Sequence, residues 1–323
     1  MSETTGPSSH TLTFLGTGAS AGVPSFYCGC AACEEVLRDP RAARDCSDLL
    51  VHGEQNILVD TAPELRTQLI REGVSHIDAV FYTHEHFDHT GGLPQLEFFV
   101  RLRSQRPLPV YASAQTLAAL EQRFDFMLDV LELHLLEAFE PVELDGVRYT
   151  PLPAAHSEGA FGFLIETAKA AGARPEPGDP QAATRAAGAT AEPGDPQAAT
   201  QAAGATAGAT AGAQAGGTRL AYFPDTGPLP PETERYLRKL DAAGGLDVLA
   251  IDATFNGRNW MPAAHHSISE AIALAETLGV RQAYLTHLSM HYDTPITLAE
   301  LEEQLTPYQG RIAVAHDGLR IAL

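Results

Sequence analysis

The sequence has no run approaching the roughly 18 apolar residues that a membrane-crossing helix needs. Its opening, MSETTGPSSH, lacks the basic and apolar segments of a secretory signal. A soluble, cytoplasmic protein with no membrane partner is the expectation. Basic residues are scarce: 21 Lys and Arg face 41 Asp and Glu among 323 residues, a formal charge of −20. Nucleic-acid binding usually requires a basic footprint, so a polyanionic partner is disfavoured. Cysteine is sparse too, with four in all. That is too few for a disulfide scaffold in a chain of this length, and metal binding is the better use for a cluster of them.

Residues 168–217 lack still more: no aromatic residue and no Leu, Ile, Val or Met. Within them PEPGDPQAATRAAGAT, at 175–190, is repeated at 191–206 as AEPGDPQAATQAAGAT. Such a segment cannot bury enough apolar surface to offset its conformational entropy, and a solenoid repeat would need apolar faces to stack. We read it as a disordered low-complexity insert. The domain plan is therefore a flexible N-terminus at 1–10 and a single domain at 11–323, interrupted at 168–217. Outside the insert about 273 residues remain, with a charge of −19.

What is present alternates strands with helices. HTLTFLG, DLLVHG, NILVDT and DAVFYT read as strands, and PELRTQLIREG reads as a helix with Pro at its start and Gly at its end. PQLEFFVRLRS and SAQTLAALEQRF are helical candidates; GVRYTPLPA and AFGFLIET are strands about a turn. Beyond the insert TRLAYFPDTG, DVLAIDAT and QAYLTHLS read as strands. PETERYLRKL, SISEAIALAETLG and TLAELEEQL read as helices, and RIAVAHDGLRIAL as a hairpin about Asp-Gly. The pattern predicts layered α/β structure with helices covering sheets.

The chemistry centres on THEHFDHTGG at 83–92. His84, His86, Asp88 and His89 follow directly on an apolar strand, where a loop can turn four side chains toward one point. Imidazole and carboxylate are the ligands that zinc or manganese takes. A merely solvated histidine-rich loop would have gathered these types at this spacing without cause. His156, Asp225 and His287 each stand where an apolar run stops, the place where open α/β layers set their ligands. Cys28, Cys30 and Cys33 crowd into YCGCAACE, three thiolates suited to tetrahedral zinc and short of one ligand. Cys46 stands apart and reads as a small buried hydrophobe. His10, His52, His76, His134 and His316 have no such context.

THEHFDH resembles the HxHxDH signature of the metallo-β-lactamase fold, with His156, Asp225 and His287 matching its later ligands and Asp60 an early strand-end aspartate. The resemblance implies an αββα sandwich and a hydrolase with two divalent ions, zinc or manganese, sharing Asp225. One would be held by His84, His86 and His156, the other by Asp88, His89 and His287, with Asp88 also orienting the attacking water. FLGTGASAGVPSFYCGCAAC resembles the opening of the phosphoribosyl cyclic phosphodiesterase family of the carbon-phosphorus lyase pathway, which carries a structural zinc on a Cys-x-Cys-x-x-Cys motif. That likeness implies a zinc on Cys28, Cys30 and Cys33, completed by His291, which comes one position later than the family pattern. AHHSISEA resembles the family segment bearing a proton donor, which aligns with His265 and leaves His266 beside it.

The expected function is metal-dependent hydrolysis of a small cyclic or nucleotide-like phosphodiester. Four alternatives are weighed. The transfer RNA 3′-processing endonuclease shares the glycine-rich opening, but usually has Gly where this chain has Phe87, and lacks the cysteine triplet. The pyrroloquinoline quinone biosynthesis protein has the cysteines but departs from the full HxHxDH set. A thioester or lactone hydrolase is allowed by the ligands alone, and a non-catalytic metal sensor would leave seven ligands without a reaction. The sequence leaves oligomeric state open, a homodimer included.

Overall fold

The computed structural model describes residues 10–167, 217–240, 244–292 and 294–323. The expected flexible N-terminus and the insert lie outside these residues, apart from His10 and Gly217.

Two seven-stranded sheets form the frame. The first contains β1 (Thr11–Gly16), β2 (Asp48–His52), β3 (Asn56–Val59), β4 (Ala79–Phe81), β5 (Leu108–Ala112), β6 (Leu131–Leu135) and β14 (Arg320–Ala322), ordered β14-β1-β2-β3-β4-β5-β6. The second contains β7 (Val142–Leu144), β8 (Val147–Pro153), β9 (Phe161–Thr167), β10 (Arg219–Phe223), β11 (Val248–Asp252), β12 (Gln282–Thr286) and β13 (Ile312–Val314), ordered β13-β12-β11-β10-β9-β8-β7.

Side-chain alternation along the strands builds three apolar layers. Leu12 and Phe14, Ile57 and Val59, and Phe81 meet Tyr149, Phe163 and Tyr222 between the sheets. Phe81 stacks on Tyr111 at 4.7 Å and on Tyr149 at 4.6 Å, so one ring ties both sheets together. The opposite faces turn outward. Leu15, Leu58, Val80 and Val110 pack with Leu65 of α2 (Leu65–Arg71) and Leu120 of α5 (Ala114–Arg123). On the other side Ala221, Leu249, Ile251 and Leu285 meet Leu237 of α6 (Pro231–Lys239), Ala271 of α7 (Ile268–Leu278) and Leu301 of α8 (Leu298–Leu305). Helix, sheet, sheet, helix is the expected αββα sandwich, and strands buried on both faces explain the continuous apolar runs.

The structure corrects the C-terminal hairpin. β13 pairs parallel with β12 in the second sheet, whereas β14 pairs antiparallel with β1 in the first. The chain crosses between sheets through Ala315–Leu319, and Gly318, at φ +83°, makes a crossing rather than a two-strand turn. The helix expected at PQLEFFVRLRS is broken into 3₁₀, α and π segments between Leu93 and Ser104. Close approach fixes two glycines of the motifs. A Cβ at Gly16 would lie 1.9 Å from the Cys46 carbonyl oxygen, and one at Gly92 would lie 2.2 Å from that of Ala62.

Candidate metal centre

Strands ending at one edge deliver every ligand. β3 ends at Asp60, and β4 runs into His84 and the short helix α3 (Phe87–Thr90) that carries Asp88 and His89. His156 lies in the turn between β8 and β9, Asp225 just beyond β10, and His287 directly after β12. Two of these residues hold left-handed backbone, Asp60 at φ +68° and His287 at φ +53°. Such strain persists where the surroundings over-determine it.

Four groups of potential ligand atoms result among the described residues, the atoms of each within 4.8 Å of one another: His84 with His86 and His156; Asp88 with His89, Asp225 and His287; Asp225 with Asp252, His265 and His287; and Cys28 with Cys33 and His291. The carboxylate of Asp225 joins the first two groups, with Oδ2 3.3 Å from His84 Nε2 and 2.8 Å from His89 Nε2. Its Oδ1 lies 2.9 Å from His287 Nδ1. Yet His84 Nε2, His89 Nε2, His287 Nε2 and Asp225 Oδ1 are buried without a hydrogen-bond partner among the described residues. His84 Nε2 and His89 Nε2 are near the Asp225 carboxylate but not angled for hydrogen bonds, and His287 Nε2 lies 3.7 Å from Asp88 Oδ2. Other buried atoms such as Tyr149 Oη and Thr150 Oγ1 also lack partners, but here three imidazole nitrogens and a carboxylate oxygen do so together within one ligand cluster, a donor set that fits divalent cations.

The partners behind the ligands set their orientation. Asp60, fully buried, accepts from the Thr83 N–H at 2.8 Å and the Thr83 hydroxyl at 2.7 Å, and contacts His89 Nδ1 at 2.8 Å. His156 Nδ1 meets the Ala264 carbonyl at 2.9 Å, and His287 Nδ1 meets the Thr254 hydroxyl at 2.8 Å.

Electrostatics agree with a cation site. Burial and the neighbouring histidines hold His84 well below the usual imidazole range. Burial works against charge on His89 too, but Asp60, Asp88 and Asp225 raise it well above that range. His287 likewise rises to about 10, as Asp225 outweighs burial. Asp225 is held far below the ordinary carboxylate range by His287 and His89 in spite of burial. The carboxylates therefore collect positive charge here, and cation binding must displace protons.

The sequence-derived candidates separate cleanly. His265 enters the cluster, 4.8 Å from the His156 ring and 5.5 Å from that of His287. Its Nδ1 is 2.7 Å from Asp252 Oδ2, and its Nε2 has no hydrogen-bond partner among the described residues. His266 is buried outside the cluster, and burial lowers its pKa. Cys28, Cys33 and His291 converge despite the extra residue before His291, with Met290 at φ +53° absorbing it. Cys30 contacts both other thiols but lies outside the closest set. Burial pushes the Cys33 thiol up to about 12. Asp252 and Thr254 escaped the sequence reading. Asp252 ends an apolar strand just as Asp225 does, so the same criterion would have found it.

The chain matches the family model of the beta-lactamase superfamily domain over residues 55–183 and 171–288. Ribonuclease Z of Myxococcus xanthus is 27% identical over 330 residues, 97% of each protein. Coenzyme PQQ synthesis protein B of Methylobacterium nodulans is 29% identical over 259 residues, 74% of this chain and 71% of that one. Octanoyltransferase of Porphyromonas gingivalis is 35% identical over 113 residues, but the match spans 35% of this chain and 22% of that protein. Among solved structures, a diphosphatase from the PhnP family superposes with a TM-score of 0.70 at 27% identity, covering 98% of this chain and 97% of the other. With its two helix-flanked sheets and its histidine and aspartate clusters, the chain belongs to the metallo-β-lactamase-fold hydrolases of the beta-lactamase superfamily and is related to the PhnP family.

Proposed function

We propose that the protein is a phosphodiesterase with a dinuclear centre, acting on a small cyclic or nucleotide-like phosphate. The observation that carries this is the set of buried, partnerless ligand atoms on His84, His89, His287 and Asp225 beside the oriented His265. His84, His86 and His156 would hold one zinc or manganese ion and Asp88, His89 and His287 the other, with Asp225 between them. Divalent ions bound there would supply Lewis acidity and activate a water toward the phosphoryl group. Asp88 orients the attacking water. His265, steered by Asp252 through Nδ1, offers Nε2 to protonate the leaving oxygen as the phosphorus–oxygen bond breaks. Cys28, Cys30, Cys33 and His291 would hold a structural zinc away from the reaction. The likeness to a diphosphatase over nearly the whole chain supports phosphorus chemistry over acyl transfer, and the charge of −20 favours a small substrate over a nucleic acid.

The full-length likeness to ribonuclease Z keeps endonuclease action as the second reading. A panel of cyclic ribose phosphates, cyclic nucleotides, RNA and thioesters, with defined metals, separates the two. Turnover of the small phosphodiesters is expected; turnover confined to RNA or thioesters would overturn the proposal.

A further inference from the structure

Beside the metal centre lies an aromatic group that none of the roles assigned so far uses. Phe255, Trp260 and Tyr292 are mutual neighbours, with ring centroids 5.6 Å apart for Phe255–Trp260, 5.7 Å for Trp260–Tyr292 and 6.2 Å for Phe255–Tyr292. Their planes are tilted by only 35°, 30° and 37°. Phe255 meets His265 edge-on at 5.9 Å, one ring contact from His156 and His287. Tyr292 lies close enough to Asp88 to feel its charge.

The loop carrying Phe255 and Trp260 is braced. Asn259 Nδ2 donates to the His265 carbonyl at 2.8 Å and to Glu270 Oε2 at 2.9 Å, and the same Glu270 oxygen caps α7 through Ser267. Phe255 is buried, yet Trp260 remains 46% exposed and its neighbour Met261 50%. An ordinary packing cluster would turn its largest ring inward. Here the largest ring faces outward at the lip of the site, the arrangement of a platform that stacks a flat ligand.

We propose that Phe255, Trp260 and Tyr292 form a stacking wall that selects phosphates carrying a planar heterocyclic base, a nucleoside phosphate rather than a bare sugar phosphate. This rests on the phosphodiesterase reading above and names its substrate class. Stacking is tolerant of base identity, so selection is for a base over none.

Trp260 is the chain's single tryptophan, so its emission reports directly on the wall. Adenosine 5′-monophosphate and ribose 5-phosphate are titrated into the metal-loaded protein, with affinities also measured by calorimetry. The nucleotide should change the emission saturably and bind about tenfold more tightly than the sugar phosphate. Trp260→Ala should remove most of that ratio and Trp260→Phe should keep most of it. Equal affinities in the unaltered protein, or a ratio undiminished in Trp260→Ala, would overturn the wall. Should Trp260→Ala not fold, the wild-type ratio and emission still decide. A base preference without hydrolysis of any phosphodiester would sink the enzymatic reading alone, whereas hydrolysis without base preference would sink the wall alone.

Discussion

At the scale of single residues, the convergence of the candidate ligands was legible because their types are rare in combination. A single strand-end histidine or aspartate can be a mere hydrogen-bond partner, as Asp60 is, but their recurrence points to coordination, and His84, His86, His89, His156, Asp225 and His287 converge accordingly. Thr254 and Trp260 were not readable in that way, because their roles come from partners distant in sequence, whereas Asp252 meets the strand-end criterion and was passed over. Asp317 is a further case. Half-buried beneath the glycine-rich loop, it accepts from the Thr17 hydroxyl at 2.7 Å and the Asp45 N–H at 2.8 Å. Burial raises its pKa from 3.8 to about 6, and the nearby Arg44 offsets this only in part. The folded state therefore binds this proton more tightly than the unfolded chain does. The resulting stabilisation is full below about pH 4 and is lost as pH rises through about 6, a change of up to ~3 kcal/mol. Asp317→Asn cannot ionise, so its stability relative to wild type should improve between pH 4 and pH 7. Urea denaturation at both pH values measures this, and a constant difference would show that Asp317 is not held protonated.

At the scale of elements, long apolar strands and capped helices were legible, while short polar strands were not. α7 announces itself through Ser267 and Glu270 at its start and Gly279 at its end. LPVYA, LELHL and VEL, now β5, β6 and β7, are short, and charged residues interrupt β6 and β7. They are strands because neighbouring backbone pairs with them. The Asp-Gly near the C-terminus misled because a turn signal does not say which sheet each arm joins. The insert raises a separate point. It departs from β9 and returns on β10, which pair antiparallel with Arg219 opposite Glu166, and Thr167 and Thr218 bond to each other across the gap. His156 precedes β9 and Asp225 follows β10, so the insertion point lies a strand length, about 20 Å, from the metal centre. Replacing residues 169–216 with a short turn should change stability by no more than about 1 kcal/mol and leave turnover intact. Thermal melting and a hydrolysis assay check this; lost turnover in a folded variant would give the insert a part in catalysis.

At the scale of the whole molecule, two sheets of like order face one another, and their strand ends along one edge assemble the centre from six strands far apart in sequence. No described helix is long and apolar enough to cross a membrane. The net charge of −20 includes the carboxylates of Asp60, Asp88, Asp225 and Asp252, gathered where cations would bind. The central claim is that these ligands run a metal-dependent phosphodiester hydrolysis. The most direct measurement is turnover of bis(p-nitrophenyl) phosphate by wild type and by Asp88→Ala, before chelation, after it, and after readdition of zinc or manganese. The account predicts that chelation abolishes turnover and readdition restores it, while folded Asp88→Ala falls by about a hundredfold or more under every metal condition. Turnover that survives both chelation and the substitution would contradict it.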